Sequence, residues 1–348
     1  MRTVPRVSVV MPVLDGERFV AESIASVLRQ TDDDLELIVV DDGSTDRTPE
    51  LLAEFARADR RVCVLRRTHG GLTSALNAGF EAASAPFVAR LDSDDVAVED
   101  RLERQLAALN QRPSVGVIGG AVEMIDGEGR LLWTDPYPLE PDEIRQVIWK
   151  FCPVLHSAVM IRREAWQQAG GYREAFRRAE DYDLWFRVLE RWDIANLAEP
   201  VVRYRVHADQ VSVRFFREQA IAAVAARASA RHRRDSGRDP AANRPTLDAA
   251  TLRELGVSGE DVAREGASAH AWWALVLSRA GYSETSSALL KEAWAAARMA
   301  GSAGTLYELA LTDARLQRER RRPLRMAHAL MRAGRHRFGR DNTADEAR

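Results

Sequence analysis

Residues 35–46 read Leu35-Glu36-Leu37-Ile38-Val39-Val40-Asp41-Asp42-Gly43-Ser44-Thr45-Asp46, an apolar run that stops in a cluster of turn formers. The run has the pattern of a strand buried on both faces. The cluster supplies side-chain oxygens for turns and helix caps, and Gly43 lets backbone approach closely. The same grammar repeats on either side. Arg6–Val13 is a β-branched run with Pro12 near its end, and Glu17–Arg29 follows with Val20, Ile24, Val27 and Leu28 at helical spacing. Downstream come a helix over Thr48–Asp59, a strand over Val62–Arg66 and a helix over Thr73–Ala83. A strand over Phe87–Leu91 then ends at Asp92-Ser93-Asp94-Asp95, ahead of a helical Arg101–Leu109. Four strand–helix alternations imply a mostly parallel sheet wrapped by helices. In such sheets ligands sit beyond the carboxyl ends of the strands. Both acidic clusters, Asp41/Asp42 and Asp92/Asp94/Asp95, fall there.

The remainder of the first 215 residues is less regular. Val115–Ile125 reads as a strand turning through Asp126–Gly129 into Leu131–Trp133. Further on, Ile144–Trp149 is helical, Ser157–Ile161 a strand, Arg163–Ala169 a short helix stopped by Gly170-Gly171, Asp181–Arg191 a helix and Ile194–Tyr204 extended. Beyond Phe215 alanine and arginine dominate. Asp235–Pro245 reads as a turn-rich linker, and Ala267–Ala280 with Ser283–Ala297 as a helical hairpin. The division expected is a domain over 1–215, a helical extension over 216–340 and a disordered tail over 341–348.

Composition narrows the function classes. The chain has 348 residues, ample for a buried core, and a formal net charge of −2, so no global basic field recruits nucleic acid. No basic patch interleaved with aromatics is visible, so nucleic acid is not the expected partner. No apolar run reaches the ~18 residues of a membrane helix. Cys63 and Cys152 are too few for a disulfide framework and read as small buried residues. Met1–Arg6 lacks the apolar core of a secretory signal, so the expected setting is the cytoplasm. Only Lys150 and Lys291 are lysines, so arginine supplies nearly all basic groups.

Residues i and i+2 at a strand end share a side, so Asp92 and Asp94 converge and repel unless a cation lies between them. A hard divalent ion takes oxygen ligands, often carboxylates together with substrate phosphates. The plain alternative is a cap cluster ahead of the Arg101 helix. Asp42 can accept from the N–H of a nucleobase, or close an Asx-turn. Two other phosphate sites do not match. Pro12-Val13-Leu14-Asp15-Gly16-Glu17 has one glycine where a dinucleotide fold needs three. Val40 stands where a haloacid-dehalogenase phosphatase has its nucleophilic aspartate.

The ordered set is more specific than its parts. It comprises the Val-Ser-Val-Val-Met-Pro strand, Asp41-Asp42-Gly43-Ser44-Thr45-Asp46, Gly71…Ala75-Leu76-Asn77-x-Gly79, Asp92-Ser93-Asp94-Asp95 and Glu180-Asp181-Tyr182-Asp183-Leu184-Trp185. Together these resemble the bacterial family 2 glycosyltransferases of the GT-A fold, over about Arg6 to Val213. The resemblance implies an α/β GT-A domain, Rossmann-like, with a mostly parallel sheet, here followed by an α-helical C-terminal extension. It implies an inverting transfer of a sugar from a nucleotide-sugar donor (UDP, GDP or dTDP type) to a hydroxyl of a glycan or lipid-linked acceptor. A divalent metal, Mg²⁺ or Mn²⁺, would assist.

Carried over by position, Pro12, Asp15, Asp42, Asn77 and Asp92 would bind the nucleotide-sugar. Asp94 would ligate the metal with His207, which lies in Tyr204-Arg205-x-His207-x-x-Gln210-x-Ser212. Asp181 would be the catalytic base, its carboxylate kept ionised by the helix N-terminus. His156 and Glu180 would line the acceptor side; a buried, hydrogen-bonded histidine and a helix cap are the bland readings. Two departures stand out. The usual Tyr-Asn after the first strand is Val13-Leu14, and Leu76 replaces an arginine that contacts the diphosphate. Arg90 or Arg205 are candidates to replace it. Arg320, Arg321, Arg322, Arg325, Arg332, Arg335 and Arg337 read either as a peripheral membrane contact at the inner leaflet or as a solvated helix face. A nucleotidyltransferase, and a catalytically silent scaffold of the same fold, are the alternatives. The first would not need the Glu180-Asp181 pair.

Overall fold

The computed structural model describes residues 4–316 apart from 209, 211–213, 302–304, 307, 308 and 315. Ser212, the arginines from Arg320 onward and the tail over 341–348 lie outside the described residues. The backbone is built on one nine-stranded sheet. Its strands are β1 (Val7–Val13), β2 (Leu35–Asp41), β3 (Val62–Arg66), β4 (Phe87–Arg90), β5 (Val96–Ala97), β6 (Val115–Ile125), β7 (Leu131–Asp135), β8 (Met160–Arg162) and β9 (Asp193–Arg205). The order is β3-β2-β1-β4-β8-β6-β9-β5, with β7 paired to β6.

The first four of these in sequence run parallel, β1 pairing β2 from Val7↔Leu35 to Val13↔Asp41 and β4 from Val7↔Phe87 to Val10↔Arg90. The next neighbour, β8, runs antiparallel to β4 and to β6, so the sheet is mixed in its second half. A proline is ordinarily excluded from a central strand because it cannot donate. Here β4 pairs only as far as Val10, and the Val10 carbonyl faces it, accepting from Leu91 N–H. By alternation Pro12 faces the same side, beyond the end of β4, where no donor is required.

The helices follow the expected alternation. They are α1 (Val20–Leu28), α2 (Thr48–Ala58), α3 (Leu72–Ala82), α4 (Arg101–Gln111), α5 (Pro141–Val147), α6 (Arg163–Ala169) and α7 (Glu180–Val188). Alternate residues of β1 enter opposite cores. Val7, Val9, Met11 and Val13 pack with Ile24 of α1, Leu52 of α2 and Leu106 of α4. Val10 packs with Leu76 and Phe80 of α3, Trp166 of α6 and Trp185 of α7. Helices α8 (Phe216–Ser236), α9 (Ala249–Glu254), α10 (Gly259–Arg279) and α11 (Ser283–Ala300) continue both cores. Ala222–Ala230 of α8 join the second, and Trp273 and Leu277 of α10 the first.

The structure corrects four local expectations. Residues 156–158 form a 3₁₀ turn, so the strand expected from Ser157 begins at Met160. Asp235–Pro245 is no free linker. Helix α8 continues to Ser236 and stops at left-handed Gly237, and Asp239 is tied to Arg173 at 2.7 Å and Arg233 at 2.9 Å. Cys63 is exposed, on β3 at the edge of the sheet. Cys152 is half-buried.

Candidate active site

The carboxyl ends of β1, β2 and β4 open onto one rim, and the loops leaving them are cross-tied. After β1, Asp15 adopts φ +50° and its Oδ1 accepts Thr45 N–H at 2.7 Å, while its own N–H donates to Ser44 Oγ at 2.9 Å. After β2, Gly43 takes φ +90° under the His69 backbone. Buried Asp42 accepts Gly70 N–H at 2.9 Å on Oδ1 and Gly71 N–H at 2.8 Å on Oδ2. His69 Nδ1 lies 2.9 Å from the same Oδ2. An ionised carboxylate has about four lone-pair sites, so Asp42 keeps acceptor capacity toward a ligand.

Asn77 has a different occupation from the one expected. Its Nδ2 donates to Tyr172 O at 2.9 Å and its Oδ1 accepts Tyr172 N–H at 3.0 Å, across 95 positions of sequence. It braces α3 against the segment leading to α7, with both ends of its amide engaged by the Tyr172 backbone.

At the end of β4, three carboxylates converge. Asp92, Asp94 and Asp95 offer oxygens all within 4.8 Å of one another. Asp92 is gripped by both Nη atoms of the buried Arg90, and its N–H donates to Ser157 Oγ at 3.0 Å. Asp95 is fully buried. Its Oδ1 accepts Arg205 N–H at 2.9 Å, and its Oδ2 has no hydrogen-bond partner. Burial, then the charges of Asp94 and Asp92, push the Asp95 carboxyl well above the usual carboxylate range. Asp92 is raised by burial and by Asp94 against the pull of Arg90. An unpartnered buried carboxylate oxygen beside two more carboxylates fits a hard divalent cation, which takes oxygen ligands and relieves the repulsion. His207 joins the group, its Nε2 lying 2.9 Å from Asp94 Oδ2.

Arg90 and Arg205, the candidates for the missing diphosphate contact, are both engaged within the protein. Arg90 is buried and held by Asp92. Arg205 is also buried, donating from Nε to Asp94 O at 2.9 Å and from Nη2 to Glu22 at 2.7 Å.

Across the rim, the first turn of α7 carries Asp181. Its Oδ1 accepts Tyr182 N–H at 2.7 Å, and its Oδ2 has Cys152 Sγ at 3.9 Å, a distant and weak donor. Burial raises the Asp181 carboxyl, opposed by the Tyr182 N–H and by Arg90. Asp92 also acts on it, which joins the two acidic groups in one field. Glu180 and His156, expected on the acceptor side, are both buried instead. Burial first, and Asp181 second, push Glu180 up to about 7. His156 Nε2 meets Tyr172 OH at 2.9 Å, and burial together with Arg90 drives its imidazole well below the usual histidine range.

Sequence reasoning counted Asp95 in the acidic cluster without giving it a role, took Arg90 as a candidate diphosphate contact rather than the buried partner of Asp92, and missed Cys152 as the neighbour of Asp181. For Asp95 a signal existed, since Asp94-Asp95 are adjacent. For Cys152 none did, because 29 positions separate it from Asp181.

The chain has clear relatives. The glycosyl transferase family 2 model matches residues 8–170. The putative glycosyltransferase EpsE of Bacillus subtilis is 34% identical over 225 residues, covering 62% of this chain and 78% of EpsE. The O-antigen biosynthesis glycosyltransferase WbnJ of Escherichia coli is 32% identical over 214 residues, covering 60% of this chain and 82% of WbnJ. Two solved structures share the fold. A mannosyltransferase from Pyrobaculum calidifontis in complex with GDP-Man and Mn²⁺ has a TM-score of 0.52 at 20% identity, over 90% of this chain and 80% of that one. S. aureus TarS 1–349 has a TM-score of 0.51 at 18% identity, over 82% and 90%. The acidic loops at the ends of β2 and β4 lie within the matched residues, on a GT-A sheet, and the chain is a transferase belonging to glycosyl transferase family 2.

Proposed function

We propose that this protein is an inverting, metal-assisted glycosyltransferase that moves a sugar from a nucleoside-diphosphate donor to an acceptor hydroxyl, with Asp181 as the base. The observation that carries the reading is a pair of acidic groups in one electrostatic field: Asp92, Asp94 and Asp95 with His207, and the carboxylate of Asp181, whose Oδ2 has the weak Cys152 thiol beside it and on which Asp92 acts through space. Pro12, Asp15 and Asp42 bound the nucleoside end of the pocket. Asp92, Asp94, Asp95 and His207 would hold a divalent ion, Mg²⁺ or Mn²⁺. Such an ion, when bound, offsets the negative charge that develops on the departing diphosphate.

The rest is done by the chain. Inversion needs one in-line displacement, in which the acceptor oxygen bonds to the anomeric carbon as the diphosphate oxygen leaves. Asp181 Oδ2 takes the hydroxyl proton, since Oδ1 is held by Tyr182 N–H. Glu180, raised to about 7, carries its proton for much of the time near neutrality, so the buried pair avoids a full double charge. Arg90 holds Asp92 toward the donor.

The donor class is supported by the GDP-Man bound to the Pyrobaculum neighbour, and a surface glycan as acceptor by the O-antigen assignment of the E. coli relative. A donor-binding unit over 1–215 followed by the helices α8 to α11 goes with this reading. Among the described residues no helix is long and apolar enough to cross a membrane.

The test has two arms. A panel of nucleoside diphosphates and nucleotide-sugars, with and without Mn²⁺, should contain one that raises the melting temperature; saturation at 100 Kd contributes about 2.7 kcal/mol. Asp181→Asn should then bind that nucleotide normally and lose roughly 10²–10⁴-fold in transfer. A panel in which nothing stabilises the protein overturns the donor reading. Full transfer by the variant overturns the base assignment.

A further inference from the structure

The helical extension reaches the base from behind. Tyr182 follows Asp181 and does two things at once: its N–H fixes Asp181 Oδ1 at 2.7 Å, and its phenol donates to Ile148 O. Ile148 opens the short segment that ends at Cys152, whose Sγ stands 3.9 Å from Asp181 Oδ2. Oδ1 of the base is fixed by that N–H and Oδ2 has Cys152 beside it, so Asp181, Tyr182, Ile148 and Cys152 lie on one ring of contacts. Helix α7 thus meets the 148–152 segment at two points, the Tyr182 phenol on Ile148 and Asp181 beside Cys152.

The phenol is held from the extension. Arg227 of α8 donates from Nη1 to Tyr182 OH at 3.4 Å, with its guanidinium 5.7 Å from the ring centre. Its Nη2 donates to Glu265 of α10 at 2.6 Å. Arg227 is buried, with 9% of its surface exposed. An aliphatic side chain would fill such a position at lower desolvation cost, so a charged one needs another reason. Helix α8 presses the same segment a second time, with Arg234 and Arg231 at 5.1 and 5.8 Å from the Trp149 ring centre. On the next residue of α7, Asp183 is held by Arg173 and Arg187, and Arg173 in turn by Asp239 beyond α8.

We infer that Arg227, held by Glu265, is a positioning residue for Asp181 acting through Tyr182, so that the helical extension is a working part of the transfer site. The inference rests on Asp181 being the base. It sets the extension apart from the donor side, where Asp42, Asp92 and Asp94 follow β2 and β4 and take their contacts from Gly70, Gly71, Arg90, Ser157, Arg205 and His207, none of them in α8 or α10.

The test uses the full chain. Arg227→Met should lower kcat about tenfold while the donor KM and the nucleoside diphosphate Kd stay within twofold. Arg227→Lys should recover kcat to within about threefold of wild type. Tyr182→Phe, which removes the phenol, should lower kcat similarly, and the double variant should be no worse than either single one, the mark of two residues acting as a unit. Should Arg227→Met fail to fold, Glu265→Gln loosens the guanidinium without deleting it and should lower kcat severalfold at unchanged donor KM. Unchanged kcat in the folded variants, additive losses in the double variant, or donor affinity falling in step with kcat would each overturn the inference. Asp181→Asn run alongside separates the two readings, since its retention of transfer would remove the base itself.

Discussion

Replacing Gly71 by alanine probes the wall that Asp42 builds. Gly71 has φ +91° and ψ +164°, a conformation almost confined to glycine, and its N–H donates to Asp42 Oδ2 at 2.8 Å. Space is not the obstacle, because an added Cβ would meet only the Arg177 Nη2 at 3.4 Å, the far end of a flexible side chain. The obstacle is the backbone. If the backbone holds, the residue carries about 1–3 kcal/mol of strain. If the peptide turns to relieve it, the buried Asp42 carboxylate loses a charge-assisted hydrogen bond, about 1.5–3 kcal/mol. The two routes give the same size of loss. At roughly 2.1 cal/mol/K per residue, a loss of about 2–3 kcal/mol moves the melting temperature of a chain this long down by about 2–4 °C. Thermal melting gives the stability part, and calorimetric titration of the nucleoside diphosphate gives the site part, with a weakening of about tenfold if the peptide has turned. Gly70→Ala is the control, since Gly70 has no left-handed φ and its Cβ would meet chiefly the small Ser74 side chain at 3.1 Å. A Gly71→Ala protein that melts and binds like wild type would refute the claim that the Asp42 wall depends on this backbone turn.

Three other outcomes follow from the packing and the charges. Gly79→Ala should destabilise by about 1–3 kcal/mol in denaturant titration, because its Cβ would lie 2.4 Å from Val10 Cγ1 and 3.1 Å from Val40 Cγ2, in the layer where α3 crosses the sheet. Glu180 binds its proton more tightly folded, near 7, than unfolded, near 4.5, so its contribution to stability is full below about 4.5 and lost as pH rises through 7. Glu180→Gln should flatten that fall in melting temperature across pH 5–8. Asp94→Asn should remove most of the extra stabilisation that Mn²⁺ gives in the presence of a nucleoside diphosphate, as a chelator should for the wild-type protein.

The acidic rim was readable because its evidence is local. Each buried strand ends in the residues that carry the chemistry, so the order of strands and acidic turns along the chain already puts Asp42 and Asp92 on one rim. What could not be read is what side chains do across long separations. Asn77 looks like a ligand contact in its motif, and only the fold reveals Tyr172 occupying both ends of its amide. Arg90 and Arg205 look like free cations, and only the fold buries them against Asp92, Glu22 and backbone carbonyls. The docking of Asp239 was hidden for the same reason, since a run of Asp, Ser, Gly and Pro reads as a linker whether or not an arginine waits for it.

The antiparallel joint between β4 and β8 gives the pocket two unlike margins. Chain leaves the sheet through β1, β2 and β4 on one margin, while on the other it enters through the 156–158 turn into β8, where Ser157 already touches Asp92. Segments that exit and segments that enter belong to different stretches of the gene, so either margin can be lengthened, trimmed or exchanged without altering the strand pairing that supports the other. The architecture is thus suited to diversification of one margin while the other is inherited intact.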